Sequence, residues 1–258
     1  MLRDCPKCRT AHLRPLGQGT ERVEQALAKL FPKARTVRMD RDSTRRKGSL
    51  ERMLEQIQAG EVDILLGTQM LAKGHHFPNV TLVGILDVDG GLFSLDFRAS
   101  ERTAQLIVQV AGRAGREERP GRVLLQTRQP DHPLLHKLIR EGYPAFAKAA
   151  LAEREEAELP PYSFQALWRA DADDEESPAL FLAQLGELAL AHSETMALGP
   201  VPAPMPRQAG RYLQQLLLQS AGRKALHECV EDLIRSVPTL PEAKRVRWSV
   251  DVDPLDMY

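Results

Sequence analysis

The chain has 258 residues, with 35 basic and 35 acidic side chains and therefore no formal net charge when histidine is neutral. At roughly 150 residues per domain, this length predicts about two domains. A neutral chain has no overall field that draws it onto a polyanion, so any nucleic-acid site must be a local basic patch. The apolar fraction of 43% and the charged fraction of 27% exclude a disordered or collagenous chain and predict a packed globular protein.

Hydropathy and cysteine content narrow the class of protein. No run approaches the ~20 apolar residues that a membrane span needs, and the first residues lack an apolar stretch of signal-peptide length. We therefore expect a cytoplasmic protein without a membrane segment. Three cysteines are too few for a disulfide framework. Cys5 and Cys8 have the spacing of half a tetrahedral zinc site, His12 is a conceivable third ligand, and no fourth ligand is evident.

Helical and extended patterns alternate through the first part of the chain. Such alternation predicts a parallel sheet covered by helices, which is an α/β fold. Thr20 and Ser49 are each predicted to cap a helix, and Gly60 to end the second one. In chain order, the predicted elements are a helix from Thr20, a strand at Thr36 to Met39, a helix from Ser49, strands at Val62 to Leu66 and Val80 to Leu86, a helix at Ala99 to Val110, and a strand at Gly121 to Thr127.

The remainder of the chain predicts a helical connector followed by a smaller α+β domain. Pro160 and Pro161 interrupt a helical pattern, and Ser177 before Pro178 predicts a helix start. The final strand is the clearest in the chain, because four apolar residues alternate strictly with polar ones. Those apolar residues, which we expect to face the core, are Val246, Trp248, Val250 and Val252.

The most informative motif is Gln-Val-Ala-Gly-Arg-Ala-Gly-Arg, from Gln109 to Arg116, directly after an apolar helix. Arg113 and Arg116 lie three positions apart and can converge on one anion. Guanidinium groups suit phosphate oxygens, and an arginine finger stabilises the charge that develops during phosphoryl transfer. Gly112 permits close backbone approach. The alternative is a solvated basic turn.

A second motif follows the predicted strand that ends at Leu66. Ligands of open α/β sheets bind beyond the carboxyl ends of strands, where Thr68, Gln69 and Lys73 would lie. These side chains could hold a phosphate backbone. The alternative is an ordinary connection from a strand into a helix.

Two basic segments are candidates for DNA binding through phosphate contacts. Residues 33 to 47 hold seven basic residues, including Arg45 and Arg46, against two aspartates. A solvated linker would have the same composition. A second candidate patch, in the C-terminal domain, consists of Arg207, Arg211, Arg223 and Lys224, with Tyr212 available for stacking.

The nucleotide-binding motif that would complete an ATPase is absent from this sequence. A P-loop needs Gly-Lys before Ser or Thr, and none of the seventeen glycines precedes a lysine. Asp174 and Glu175 do not follow a buried strand, so we interpret them as the solvated approach to a helix. Asp87 and Asp89 do follow one, and we interpret them as structural residues or contacts between motifs.

Residues Gly67 to Pro78 and Gln109 to Arg116 resemble motifs V and VI of superfamily 2 helicases, and most closely those of the PriA family of replication restart helicases. Further similar blocks, which extend the resemblance over essentially the whole chain, are 19–24, 40–42, 159–162, 202–205 and 248–254. The resemblance implies the end of a zinc-binding insertion at residues 1–15, a second RecA-like lobe at 16–130, a helical connector at 131–160 and an α+β domain at 161–258.

The resemblance further implies an ATP-dependent 3′-to-5′ DNA helicase that recognises and remodels stalled replication forks and initiates primosome assembly. Its implied partners are branched or forked DNA, single-stranded-DNA-binding protein and other primosome proteins. ATP and Mg²⁺ would be bound mainly by an absent P-loop lobe, and Zn²⁺ would need cysteines upstream of Met1 to complete the site of Cys5 and Cys8. We therefore expect the chain by itself to be inactive.

Roles for individual residues also follow from the resemblance. Arg116 would be the finger, with Arg113 beside it. Gln109, Gly112 and Gly74 would contact nucleotide, and the implied DNA contacts are Thr68, Gln69, Lys73, Arg45, Arg46, Arg207 and Arg211.

One position departs from the family. His76 stands where the family usually has an acid, which puts the coupling to nucleotide in question. The alternatives are a non-catalytic DNA-binding or protein-docking module on a RecA-like scaffold, and a different superfamily 2 translocase. The latter would share the arginine motif but not the Cys5 and Cys8 pair.

Overall fold

A computed structural model of the chain describes residues 19–40, 43, 48–68, 79–94, 96–112 and 121–257. The chain divides into two compact units. The first holds residues up to 94 and 99–146, and the second holds 95–98 and 147 onward. The domain boundaries that we expect at about residues 130 and 160 stay predictions.

The first unit alternates helices with short strands, which confirms the α/β class. Strands β1 and β2 pair in parallel, as do β3 and β4. Each pair is joined through helical segments, as parallel pairing requires. The elements are α1 (Thr20–Leu30), β1 (Thr36–Met39), α2 (Ser49–Gln58), β2 (Ile64–Gly67), β3 (Leu82–Ile85), α3 (Asp89–Leu92), α4 (Ala99–Ala111), β4 (Arg122–Leu125), α5 (Pro133–Glu141) and α6 (Tyr143–Glu156), which continues into the second unit.

The predicted helix starts in this unit are wrong by one residue. Gly19 and Gly48 occupy the cap positions, and neither helix has a side-chain cap. The Thr20 hydroxyl instead donates a hydrogen bond to Asp40 Oδ2 at 3.0 Å. Gly48 has a φ of 80°, a left-handed conformation that glycine adopts without strain. The chain therefore enters α2 through a backbone turn, and Ser49 is already helical.

The second unit is built on one antiparallel sheet of four strands in the order β6, β7, β5, β8. Helices α7 and α8 pack against this sheet, and their buried side chains form the helical half of the core. This arrangement confirms the α+β domain. Its elements are β5 (Phe164–Ala172), α7 (Glu176–Ala189), β6 (Thr195–Gln208), β7 (Arg211–Ser220), α8 (Arg223–Ser236) and β8 (Arg247–Val252), with short 3₁₀ turns at Val237–Thr239 and Pro241–Lys244.

The core of the second unit lies between the sheet and the two helices. Trp168, Phe181 and Leu216 are fully buried in it, and so is Cys229 on α8. Burial raises the pKa of the Cys229 thiol. A thiol in this environment is a small apolar side chain rather than a nucleophile.

The predicted alternation of the final strand is confirmed in part. Val246, just before β8, and Val250 pack against the core, and the ring of Trp248 lies 5.4 Å from that of Trp168. Trp248 and Val252 are nevertheless 37% and 38% exposed, because β8 is an edge strand of the sheet, and Val252 is not one of the core residues. The alternation predicted which face of β8 turns inward, whereas the edge position of the strand determines how exposed the side chains on that face are.

Helix α7 begins one residue earlier than Ser177, so the cap predicted there is wrong. The carboxylate of Asp174 accepts hydrogen bonds from the Ser177 backbone N–H at 2.7 Å and from its hydroxyl at 2.9 Å. These two bonds lower the pKa of Asp174. Asp174 therefore serves the helix terminus, in agreement with its interpretation as a helix approach.

Within the described ranges, none of the helices has the length and apolar character that crossing a bilayer requires.

Leu185 and Leu188 on α7 provide a matched test of this core, because they are fully buried and 39% exposed, respectively. We expect Leu185→Ala to lower the free energy of unfolding by about 2–5 kcal/mol through lost burial and a cavity. Leu188→Ala should cost about 0.5 kcal/mol. Denaturant titration followed by tryptophan fluorescence measures both, since the two tryptophans lie in the second unit. Equal losses would contradict the placement of the core.

Candidate functional site

The turn after β2 carries the first predicted DNA contact. Thr68 follows Gly67 at the carboxyl end of the strand, and it is exposed. An exposed hydroxyl at the end of a parallel strand is where an open α/β sheet presents groups to a ligand. Gln69, Lys73, Gly74 and His76 lie outside the described residues.

The carboxyl ends of β3 and β4 are tied together by backbone hydrogen bonds. Gln126 N–H donates to Ile85 O at 2.9 Å, and Val88 N–H donates to Gln126 O at 3.1 Å. Val88 is 2% exposed. These bonds extend the pairing of the two strands into the start of α3 and fix that short helix to the end of β4.

Asp89, the first residue of α3, adds a side-chain clasp. Its carboxylate accepts from Thr127 Oγ1 at 2.5 Å and from the Arg128 backbone N–H at 2.8 Å. The hydrogen bond from Thr127, followed by that from Arg128, lowers the pKa of Asp89. A carboxylate engaged by its own fold in this way agrees with the interpretation of Asp89 as structural.

Helix α4 presents the start of the arginine motif. It buries Ala104 and Ile107, whereas Gln109 on the same helix is exposed. Gly112 follows the helix and donates its N–H to Val108 O at 3.0 Å. The backbone therefore remains helically bonded up to the residue before the first arginine. Arg113 and Arg116 lie outside the described residues.

Two arginines of the basic segment from residue 33 to 47 are held in ion pairs. Arg35 contacts Asp63 at 2.8 Å, and Arg38 contacts Asp40 at 3.0 Å and Glu24 at 3.2 Å. They connect β1 to its neighbours and are not free cations. The segment is therefore partly structural, and Arg45 and Arg46 lie outside the described residues.

Asp40, at the end of β1, is the centre of a further polar cluster. Its carboxylate accepts the Ser43 backbone N–H at 2.8 Å and the Thr20 hydroxyl, and it is 9% exposed. The hydrogen bond from the Ser43 backbone is the largest cause of its lowered pKa, which burial opposes. This cluster joins α1 to β1 and gives the predicted cap residue Thr20 its actual role.

The basic patch predicted in the second unit is not a single surface. Arg207 and Arg211 lie where β6 turns into β7, whereas Arg223 and Lys224 follow the opposite end of β7. At about 3.3 Å per residue, the two ends are roughly 30 Å apart. The prediction of one patch of four cations is wrong, because the register of this hairpin cannot be read from local sequence.

The two arginines at the hairpin are engaged by their neighbours. Arg211 pairs with Asp171 and, at 2.7 Å, with Asp173, and Asp171 is the main cause of its raised pKa. The Arg207 guanidinium lies 5.0 Å from the ring centre of Tyr212, so one face of that ring is covered. DNA binding by Arg207 and Arg211 stays a prediction, and any phosphate would compete with these contacts.

The predicted zinc ligands Cys5 and Cys8 lie outside the described residues. Among the residues that are described, no three His, Cys, Asp or Glu side chains come together in a way that could hold a metal ion.

Sequence reasoning missed the connection between Asp89 and β4. The sequence Asp89-Gly90-Gly91 does indicate a close contact, because two adjacent glycines destabilise a helix and are typical of places where a neighbour approaches closely. The partner, Thr127, is 38 residues away in the sequence. A contact over that separation cannot be read from local periodicity.

Two family profiles match the chain. The helicase conserved C-terminal domain matches residues 16–118, and the primosomal protein N C-terminal domain matches residues 155–255. The first match includes the arginine motif, and the second includes the whole antiparallel sheet.

Proteins named replication restart protein PriA are similar over nearly the full chain. The one from Haemophilus influenzae is 50% identical over 99% of this chain and 35% of its own length. Those from Bacillus subtilis and Synechocystis are each 39% identical over 98% of this chain, and the matches cover 32% and 30% of their lengths. The chain thus spans about a third of the length of the curated relatives it matches.

The ion pair of Arg35 with Asp63 predicts a specific dependence on pH. Hydrogen bonds from the Arg35 side chain and backbone lower the pKa of Asp63 to about 2. A carboxylate with a lowered folded pKa stabilises the fold above its unfolded pKa of about 3.9, and this contribution disappears as the pH falls toward 2. Arg35→Ala should return the Asp63 pKa toward its ordinary value, as measured by carboxyl ¹³C NMR titration.

Arg52→Ala is the matched control, because that exposed guanidinium bonds to Gly48 O instead. It should leave the Asp63 pKa low. An Asp63 pKa near 4 in the unsubstituted chain would contradict the ion pair.

Proposed function

This chain belongs to the PriA family of replication restart proteins, and from that premise we propose that it forms part of an ATP-dependent DNA helicase. The helicase would move 3′ to 5′, recognise and remodel stalled replication forks in the cytoplasm, and initiate primosome assembly. The single observation that carries this proposal is the sequence Gln109 to Arg116 at the end of α4, within the region that matches a helicase C-terminal domain.

The proposal divides the catalytic work between two lobes. The 258 residues contain no Gly-Lys of a P-loop, so ATP and Mg²⁺ would be bound mainly by another lobe. Arg116 would stabilise the charge on the transferring phosphoryl group as an arginine finger. Arg113 and Gln109 would help to hold the γ-phosphate, with Gly112 and Gly74 allowing the backbone to approach. The chain by itself would therefore not hydrolyse ATP.

DNA would be held mainly through its phosphates. Such contacts position a protein on DNA without reading sequence, which suits an enzyme that acts at any fork. The exposed hydroxyl of Thr68 supports a contact at the end of β2, next to Gln69 and Lys73. The further DNA contacts in this proposal are Arg45, Arg46, Arg207 and Arg211.

The same segment would couple nucleotide state to movement. Thr68, Gln69, Lys73 and Gly74 lie within seven consecutive residues of the sequence, so a change at the nucleotide would alter the contacts with DNA. Single-stranded-DNA-binding protein and other primosome proteins would be the protein partners. Cys5 and Cys8 would supply two ligands of a structural zinc ion whose other ligands lie elsewhere.

A chimera in which this chain replaces the matching residues of the Haemophilus influenzae relative tests the proposal. We expect DNA-stimulated ATP hydrolysis by the chimera, and none by the isolated chain. Arg116→Ala should lower kcat by about 10³-fold, because it removes charge stabilisation in the transition state. A steady-state phosphate-release assay measures each protein with and without forked DNA.

Arg122→Ala is the control, since Arg122 is an exposed arginine on β4 of the same unit. It should stay within about twofold of the unsubstituted chimera. A chimera that binds forked DNA but never hydrolyses ATP would favour the alternative of a non-catalytic module. An Arg116→Ala chimera that keeps a tenth or more of its kcat would contradict the assigned finger.

A further inference from the structure

Helices α3 and α4 approach each other closely at Gly91. A β-carbon placed on Gly91 would overlap Thr103 Oγ1 and lie 3.0 Å from Thr103 Cβ and 3.4 Å from its Cγ2. Rotating the threonine side chain would move its oxygen but leave the two β-carbons 3.0 Å apart, a contact so tight that the neighbouring helix must shift by a few tenths of an ångström. The adjacent Gly90 differs, since a β-carbon there would make only ordinary contacts of 3.7 Å or more, with Asp87. The requirement for a missing side chain is therefore specific to Gly91.

Helix α3 is fixed on its other side. Asp89 accepts hydrogen bonds from Thr127 and Arg128, and Val88 N–H donates to Gln126 O. These bonds anchor α3 to the end of β4 by both backbone and side chain. When a larger residue replaces Gly91, α4 is consequently the element that is displaced.

A displacement of α4 at Thr103 reaches the nucleotide-facing end of the helix. Thr103 and Gln109 lie on the same continuous helix, about 9 Å apart along its axis at 1.5 Å per residue. The helix remains bonded through Gly112, whose N–H donates to Val108 O. Ala104 and Ile107 are buried on the intervening turn, so the helix moves as one body.

We propose that Gly91 is a positioning residue for ATP hydrolysis. Because it has no side chain, α4 can lie close to α3, and the position of α4 determines where Gln109 and the following arginines meet the nucleotide. This inference rests on the function proposed above. Gly91 touches neither nucleotide nor DNA in this role, and it acts only through the helix.

The role predicts a particular kinetic signature. A misplacement of about 1 Å in a catalytic group can cost about 10²-fold in rate, so a shift of a few tenths of an ångström should cost roughly 3- to 10-fold. Nucleotide affinity would come mainly from the P-loop lobe, so a displaced α4 should lower kcat and leave KM for ATP nearly unchanged. A loss of folded protein, by contrast, would lower the amount of active enzyme and the midpoint of unfolding.

The test compares Gly91→Ala with Gly90→Ala in the chimera described above. We expect Gly91→Ala to lower kcat by about 3- to 10-fold, with KM for ATP within about twofold. Gly90→Ala adds the same methyl group to the same helix and should keep kcat within about twofold. Adding Thr103→Gly to Gly91→Ala removes the whole threonine side chain with its β-carbon, at a cost of about 1 kcal/mol in helix propensity, and should restore most of the lost kcat.

A second readout uses the 258-residue chain itself and does not depend on activity. Gly91→Ala should shift the amide NMR resonances along α4 as far as Gln109 and Gly112, whereas Gly90→Ala should shift only resonances near α3. If Gly91→Ala alone does not fold, the double variant must fold and recover kcat, because it relieves the collision.

The outcomes separate this inference from the proposed function. A chimera without DNA-stimulated hydrolysis would contradict the proposed function and this inference together. An active chimera whose Gly91→Ala variant keeps kcat within twofold would overturn the inference alone. So would a Gly91→Ala defect that the Thr103→Gly substitution leaves unchanged.

Discussion

The position of helix α4 against α3 is the constraint on which the functional interpretation depends. The helix buries Ala104 and Ile107 and approaches α3 so closely at Gly91 that a β-carbon there would lie 3.0 Å from Thr103 Cβ. Helix α3 is in turn clasped to the end of β4 by Asp89. Two strand ends and two helices therefore form one rigid support, and the arginine motif begins where that support ends. A group that must meet a transition state needs such a support, because catalysis is sensitive to small errors of position.

Several arginines of the described residues are committed to structure. Arg35, Arg38 and Arg211 are each paired with carboxylates, and Arg207 lies on an aromatic ring. With no formal net charge, the chain also has no overall field that attracts DNA. Recognition of a polyanion would then depend on a few positioned groups at strand ends rather than on a basic face.

Local periodicity was sufficient to predict several of the elements. Strand β1 occupies the predicted residues, and Val250 on β8 and Val246 just before it pack against the core. The errors lie where the decisive partner is distant. Thr20 bonds to Asp40 instead of capping its own helix, and the hairpin of β6 and β7 separates Arg211 from Arg223. The roles of Arg113 and Arg116 came from motif chemistry and family resemblance, which say what a residue can do but not where its side chain lies.

The proposed function requires that Arg116 reach the γ-phosphate of a nucleotide held by another lobe. The most direct measurement is a structure of the chimera with forked DNA, ADP and aluminium fluoride. The aluminium fluoride group takes the place of the transferring phosphoryl group. We expect the Arg116 guanidinium within about 3 Å of a fluorine atom, a hydrogen-bond distance, with Arg113 beside it. An Arg116 side chain that points away from the nucleotide, or that pairs with a carboxylate of its own chain, would contradict this requirement.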